Sequence, residues 1–184
     1  SAVISPFLDA LLEKDCDLNY IYGYEKDGCF VPVYGQQRLT TLWLLYIYLH
    51  AYKKRTGQYR VHMKFASREY ANDFCERIAE HLEELLPKSS AYKTLDEAIK
   101  DQNWFIRSWS KNATVCNILS TLKLIHRKVN EHNIDVIWKR LVETESPSIT
   151  FAFLQMDESY GLDDDVYIKM NGRGRKLSAF ENLK

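Results

Sequence analysis

Gly35-Gln36-Gln37-Arg38 stand between a short apolar run and a long one in VPVYGQQRLTTLWLL, residues 31–45. With a helix starting just after them, they have the makings of an anion site. The first N–H groups of a helix lack internal partners and carry the positive end of its dipole. Gly35 lets the backbone approach closely, Gln36 and Gln37 offer neutral amide donors, and Arg38 offers a planar fork that matches two phosphate oxygens. Each charge-assisted bond contributes about 1.5 to 3 kcal/mol net. The plainer alternative is a turn glycine followed by a surface arginine, and the spacing alone does not choose between them.

A second loop has the same grammar. In YIKMNGRGRKLSAFENLK, residues 167–184, Asn171, Gly172, Arg173, Gly174, Arg175 and Lys176 follow a strand-like run and precede a capped helix. Two glycines among three cations beside a helix start suit a phosphate or sugar. A solvated basic turn, screened by Asp163-Asp164-Asp165, is the alternative. Neither loop has the Walker A pattern, and Gly172-x-Gly174 lacks the third glycine of a dinucleotide fingerprint.

Other chemistry is poorly supported. The five histidines have no metal-ligand spacing, and Cys16, Cys29, Cys75 and Cys116 contain no CxxC pair. That scatter suits buried thiols in a reducing cytosol. Lys53, Lys54, Arg55 and Arg60 read as a solvated helix end. Tyr20, Tyr22 and Tyr24 alternate on one strand face and could line a pocket.

These residues need elements to hold them. Ser5 to Glu13 has the periodicity of a short amphipathic helix, with Phe7, Leu8, Leu11 and Leu12 on one side. Asn19 to Glu25 and Cys29 to Tyr34 are β-rich runs joined by an Asp27-Gly28 turn, a hairpin signal. Leu39 to Arg55 reads as a helix buried on all sides in its first half and stopped by Gly57. Tyr59 to Phe65 is expected as a strand, and a helix opened by Ser67 as running to Leu86. Three helical stretches follow between Thr94 and Glu143, broken near Trp109 to Asn112 and at Asn133. Ser148 to Met156 and Val166 to Met170 are expected strands. Ser178 and Glu181 form a capping box whose helix has less than two turns before Lys184, which sets the expectation of a fragment of a longer protein.

The bulk numbers agree with one globular domain. The chain has 184 residues, 46% hydrophobic and 27% charged. Lys plus Arg equals Asp plus Glu at 25 each, so no global field draws it to nucleic acid or an anionic membrane. No apolar run approaches the roughly 20 residues that span a bilayer. Without a charged-then-apolar leader, the expectation is a cytoplasmic protein. The fold class expected is α+β, helix-dominated, a single domain over residues 1–184 with a small sheet.

Taken together, the two loops resemble something specific. VYGQQRLTTLWLL is similar to a DGQQRLTTL signature, and DDVYIKMNGRGRKLSAFENLK to a second signature, N-x-x-G-x-x-L after an aromatic strand. Both mark the N-terminal domain of the GmrSD-type restriction endonucleases, and WFIRSWSKNATVCNILSTL resembles larger members of that group. The resemblance implies a core related to ParB and sulfiredoxin, and binding and hydrolysis of a nucleoside triphosphate with Mg2+. It also implies coupling to an HNH-type nuclease domain, in cis or in trans, that cuts foreign or modified DNA in a bacterial restriction and phage-defence system. On that transfer Gly35, Gln36, Gln37 and Arg38 contact phosphates, with Asn171, Gly172, Arg173, Gly174, Arg175 and Lys176 completing a nucleotide pocket.

One departure stands at the catalytic position. The family's Asp before GQQR is Tyr34 here, and a phenol is a poorer Mg2+ ligand and base than a carboxylate. Binding is therefore implied more firmly than hydrolysis, and the metal ligands are unassigned, with Asp163, Asp164 and Asp165 as candidates. The alternative functions are a non-catalytic protein-interaction module with a degenerate pocket and a DNA-binding module, the latter disfavoured by the neutral charge.

Overall fold

The computed structural model describes residues 4–58, 61–65 and 68–155. Among these, six α-helices outweigh a three-stranded sheet, an α+β architecture. The described chain falls into two compact units: residues 4–39 with 144–155, and residues 40–143.

The first unit holds the sheet. Helix α1 (Ile4–Glu13) repeats its apolar residues at three and four positions, and Phe7, Leu8, Leu11 and Leu12 are buried together. Strands β1 (Cys16–Lys26) and β2 (Cys29–Tyr34) form the expected hairpin, antiparallel, with Lys26 opposite Cys29. Asp27 and Gly28 turn it at φ 52° and 71°, the pair of left-handed residues that a two-residue turn between twisted strands requires. Strand β3 (Ile149–Gln155) runs parallel to β1 on its other side, giving the order β2-β1-β3. Near its start β1 is irregular: Asn19 sits at φ 58° and the register with β3 shifts between Asp17 and Tyr20. The Asp17 carboxylate accepts from the Asn19 N–H at 2.8 Å, which supports the local bulge.

Helix α2 (Gln36–Tyr52) begins at Gln36 rather than at Leu39. Gly35 takes the N-cap place, its carbonyl accepting from the Leu39 N–H at 3.0 Å, so Gln36, Gln37 and Arg38 are the first turn of the helix and not the loop before it. The helix also ends earlier than expected. Lys54, at φ 54°, stops it, and the Arg55 N–H donates back to the His50 carbonyl at 2.8 Å; Gly57 lies in the 3-10 turn that follows. From Trp43 to Ala51 nearly every side chain is buried, as an all-round apolar helix must be.

In the second unit α2 is followed by α3 (Glu69–Leu85), α4 (Leu95–Lys100), α5 (Ala113–Asn130) and α6 (Ile134–Leu141). The breaks expected near Asn112 and at Asn133 are helix caps. The Asn112 side chain accepts from the N–H groups of Thr114 and Val115 at 3.0 and 3.1 Å, and that of Asn133 from Asp135 at 2.9 Å. Phe74, Phe105 and Trp109 meet edge to face, with centroids 5.5 to 6.2 Å apart. Tyr48, fully buried, bonds to the His126 ring at 2.8 Å.

The strand expected within Tyr59 to Phe65 is not found: residues 61–65 are irregular. Their main chain is bonded by side chains instead of by a neighbouring strand. The Trp43 indole donates to the Val61 carbonyl at 3.1 Å, and Asn72 bonds both the N–H and the carbonyl of Phe65, at 2.6 and 3.0 Å. That satisfies backbone groups at both ends of the segment that a sheet would have paired. Two of the basic residues after α2 are partnered too: Lys53 pairs with Asp135, and Arg55 with Glu143 at 3.3 Å. Arg60, the strand expected over Val166 to Met170 and the helix expected at Ser178 lie outside the described residues.

Candidate functional site

The turn from β2 into α2 is shaped by Gly35. Its φ of 88° belongs to the left-handed region that side chains resist. A Cβ there would also lie 3.3 Å from both the Arg38 guanidinium and Ile21. The position therefore excludes larger residues on two counts. Immediately after it, Gln36 and Gln37 are exposed, and the Gln36 amide donates to the Pro32 carbonyl at 2.8 Å. Their N–H groups belong to the opening turn of a 17-residue helix, at the positive end of its dipole.

Arg38 does something that its spacing did not announce. It is 3% exposed, and its guanidinium donates to two main-chain carbonyls of β1, those of Leu18 and Tyr20, the second at 3.2 Å. Pairing of β1 with β2 begins only at Tyr22 with Tyr34. Where β2 has already turned into α2, Arg38 bonds to the central strand in its place. The same group lies 5.2 Å from the centre of the Tyr34 ring, a cation-π contact, while Nε has no partner. Thus Arg38 brings positive charge beneath the turn with two of its five N–H donors bonded to β1.

Tyr34, at the position of interest before Gly35, is half-buried and meets Tyr22 edge to face at 5.8 Å. Tyr22 in turn meets Tyr20 at 6.1 Å. Burial first, then the neighbouring phenols of Tyr20 and Tyr34, push the Tyr22 hydroxyl above its ordinary range against the pull of Arg38. The turn from Tyr34 to Arg38 itself supplies no carboxylate, so no step is assigned to Mg2+ there. Among the described residues, no three His, Cys, Asp or Glu side chains are grouped to hold a metal ion.

The structure thus brings together Tyr34, Gly35, Gln36, Gln37 and Arg38. Asp163, Asp164, Asp165, Asn171, Gly172, Arg173, Gly174, Arg175 and Lys176 lie outside the described residues.

Comparison with known families decides the relationship. The family of the GmrSD restriction endonuclease N-terminal domain matches residues 4–184. The chain belongs to this family. No curated protein and no solved structure matches it. Within this GmrSD N-terminal domain, the carbonyls of Leu18 and Tyr20 are the parts of the site that sequence reasoning missed. The one available signal was Asn19, a residue tolerant of left-handed backbone, inside an otherwise β-rich run. No helix among the described residues of the GmrSD domain is long and apolar enough to cross a membrane.

Proposed function

We propose that the Gly35 turn receives the phosphates of a nucleoside triphosphate, and that its occupancy regulates an HNH-type nuclease domain, in the same polypeptide or in a partner, within a cytoplasmic bacterial defence system. The observation that carries this reading is the left-handed Gly35 at the N-cap of a long helix, with the Arg38 cation buried behind it. In this reading the main-chain N–H groups of the first turn and the Gln37 side chain meet the anion. Arg38 holds the turn in shape and adds charge from below. Asn171, Gly172, Arg173, Gly174, Arg175 and Lys176 are proposed to close the phosphate site, Mg2+ to accompany the triphosphate, and DNA to engage through the full-length protein. With Tyr34 in place of a carboxylate, binding is the primary activity and hydrolysis the secondary one.

Thermal unfolding with each triphosphate, with and without Mg2+, tests it. A ligand at a hundred times its dissociation constant stabilises by about 2.7 kcal/mol, which raises the midpoint by roughly 5 to 10 °C in a domain of this size. No shift with ATP, GTP, CTP or UTP would overturn the phosphate site.

A second reading has its own observation. The two carbonyl bonds of Arg38 give the motif a purely structural job, as expected of a non-catalytic interaction module that keeps the turn for its fold. Binding to a co-encoded nuclease without any nucleotide response would favour it.

A further inference from the structure

Beyond the phosphates, one face of the sheet offers a place for a base. Tyr20, Tyr22 and Tyr34 form a row, with centroid separations of 6.1 and 5.8 Å, that starts at the residue next to Gly35 and runs across β2 and β1. Tyr22 and Tyr34 are directly opposed in the register. Tyr20 ends the row and is 51% exposed. Its neighbour on β3 is Ala152, too small to cover a phenol ring.

One cation touches both ends of the row: Arg38 bonds to the Tyr20 main-chain carbonyl at 3.2 Å and lies against the Tyr34 ring. An apolar peptide is a poorer match than a base, because these rings carry hydroxyls and the row begins beside the positive pole of α2.

We propose that Tyr20, at the exposed end of this row, is the stacking platform for the base of the nucleotide whose phosphates meet the Gly35 turn. The proposal rests on the phosphate reading, and the two can fail separately.

Calorimetry of the intact chain with ATP, GTP, CTP, UTP and inorganic tripolyphosphate separates them. At least one nucleotide should bind roughly tenfold more tightly than tripolyphosphate, the margin that stacking on one aromatic ring gives. Tyr20→Ala should erase that margin and leave tripolyphosphate affinity unchanged, whereas Tyr20→Phe should keep it. Ala152→Leu, which covers the ring without removing it, should lower nucleotide affinity alone, and retained tripolyphosphate affinity with a cooperative urea-unfolding transition confirms that each variant keeps its sheet. A margin that is absent in the original chain, or that survives both Tyr20→Ala and Ala152→Leu, overturns the platform and spares the phosphate site. Binding of neither nucleotide nor tripolyphosphate overturns both.

Discussion

Arg38, in the first turn of α2, donates to the main-chain carbonyl of Tyr20 at 3.2 Å, eighteen positions earlier in the chain. A residue with the chemistry of a phosphate clamp is therefore also a tie between helix and strand. Arg38→Ala should cost about 2 to 4 kcal/mol of stability, because it leaves the Leu18 and Tyr20 carbonyls without their donor. Arg38→Lys should recover less than half of this, since an ammonium lacks the planar fork. Urea unfolding of the two variants checks both values. Equal stability of all three proteins would mean that the two bonds contribute nothing.

Gly35→Ala should destabilise by about 1 to 2 kcal/mol. The new Cβ would sit in left-handed backbone and 3.3 Å from Arg38 and Ile21. If the turn is also the phosphate site, the same variant should weaken triphosphate binding more than it lowers the unfolding midpoint explains. Unfolding and calorimetry on one preparation compare the two.

Acid should act on two places in the helical unit. Burial would raise the Asp96 carboxyl, but the neighbouring Thr94 hydroxyl and the ammonium groups of Lys123 and Lys100, 3.2 and 3.3 Å away, outweigh it and hold it below its ordinary range. A depressed carboxyl contributes stability above its unfolded value, near 4, and loses it as pH falls through the folded value. Lys123→Ala should therefore lower stability at pH 7 by less than about 1 kcal/mol, and by progressively less as pH falls below about 4, as urea unfolding at stepped pH would show.

His126 is the second place. Burial lowers its ring below the ordinary histidine range. Here the neutral form is favoured by the fold, so its contribution is complete above about pH 6.5 and declines as pH falls toward the folded value. An NMR titration should place the His126 midpoint below the ordinary histidine value of about 6.5. A midpoint at or above the ordinary value would remove this source of acid sensitivity.

The cysteines should separate by reactivity. Cys29 is exposed, while burial pushes the thiol of Cys75 up to about 12. A disulfide reagent at pH 8 should modify Cys29 within minutes and Cys75 only after unfolding. Prompt reaction at Cys75 would show that the core around α3 opens readily.

What the sequence made legible follows local rules. The amphipathic period of α1, the Asp27-Gly28 turn and the breaks near Asn112 and at Asn133 each act within a few residues, and each lies where the pattern placed it. Gly35 was legible as a turn, but the burial of Arg38 was not. Whether Arg38 reaches outward or into the sheet depends on the Asn19 bulge and on where β2 stops pairing, which are relations between distant segments. Residues 61–65 misled for a related reason: their alternation suggests a sheet, yet Trp43 and Asn72 supply the backbone partners. The expected pocket residues beyond Met156 lie outside the described residues, so only the β2–α2 half of the motif pair has a geometry here.

The parallel partner of β1 is β3, which the chain reaches only after residues 27–148 have been made. A nascent hairpin of β1 and β2 therefore leaves the ribosome with one edge open for on the order of ten seconds. Residues 40–143 are contiguous and can condense meanwhile. The sheet carrying the Gly35 turn is then the last part to close, because its defining pairing is the one of longest sequence separation. A chain cut short before Ile149 would lose the turn's support while keeping most of its helices, so a helical dichroism signal alone would not report a competent site.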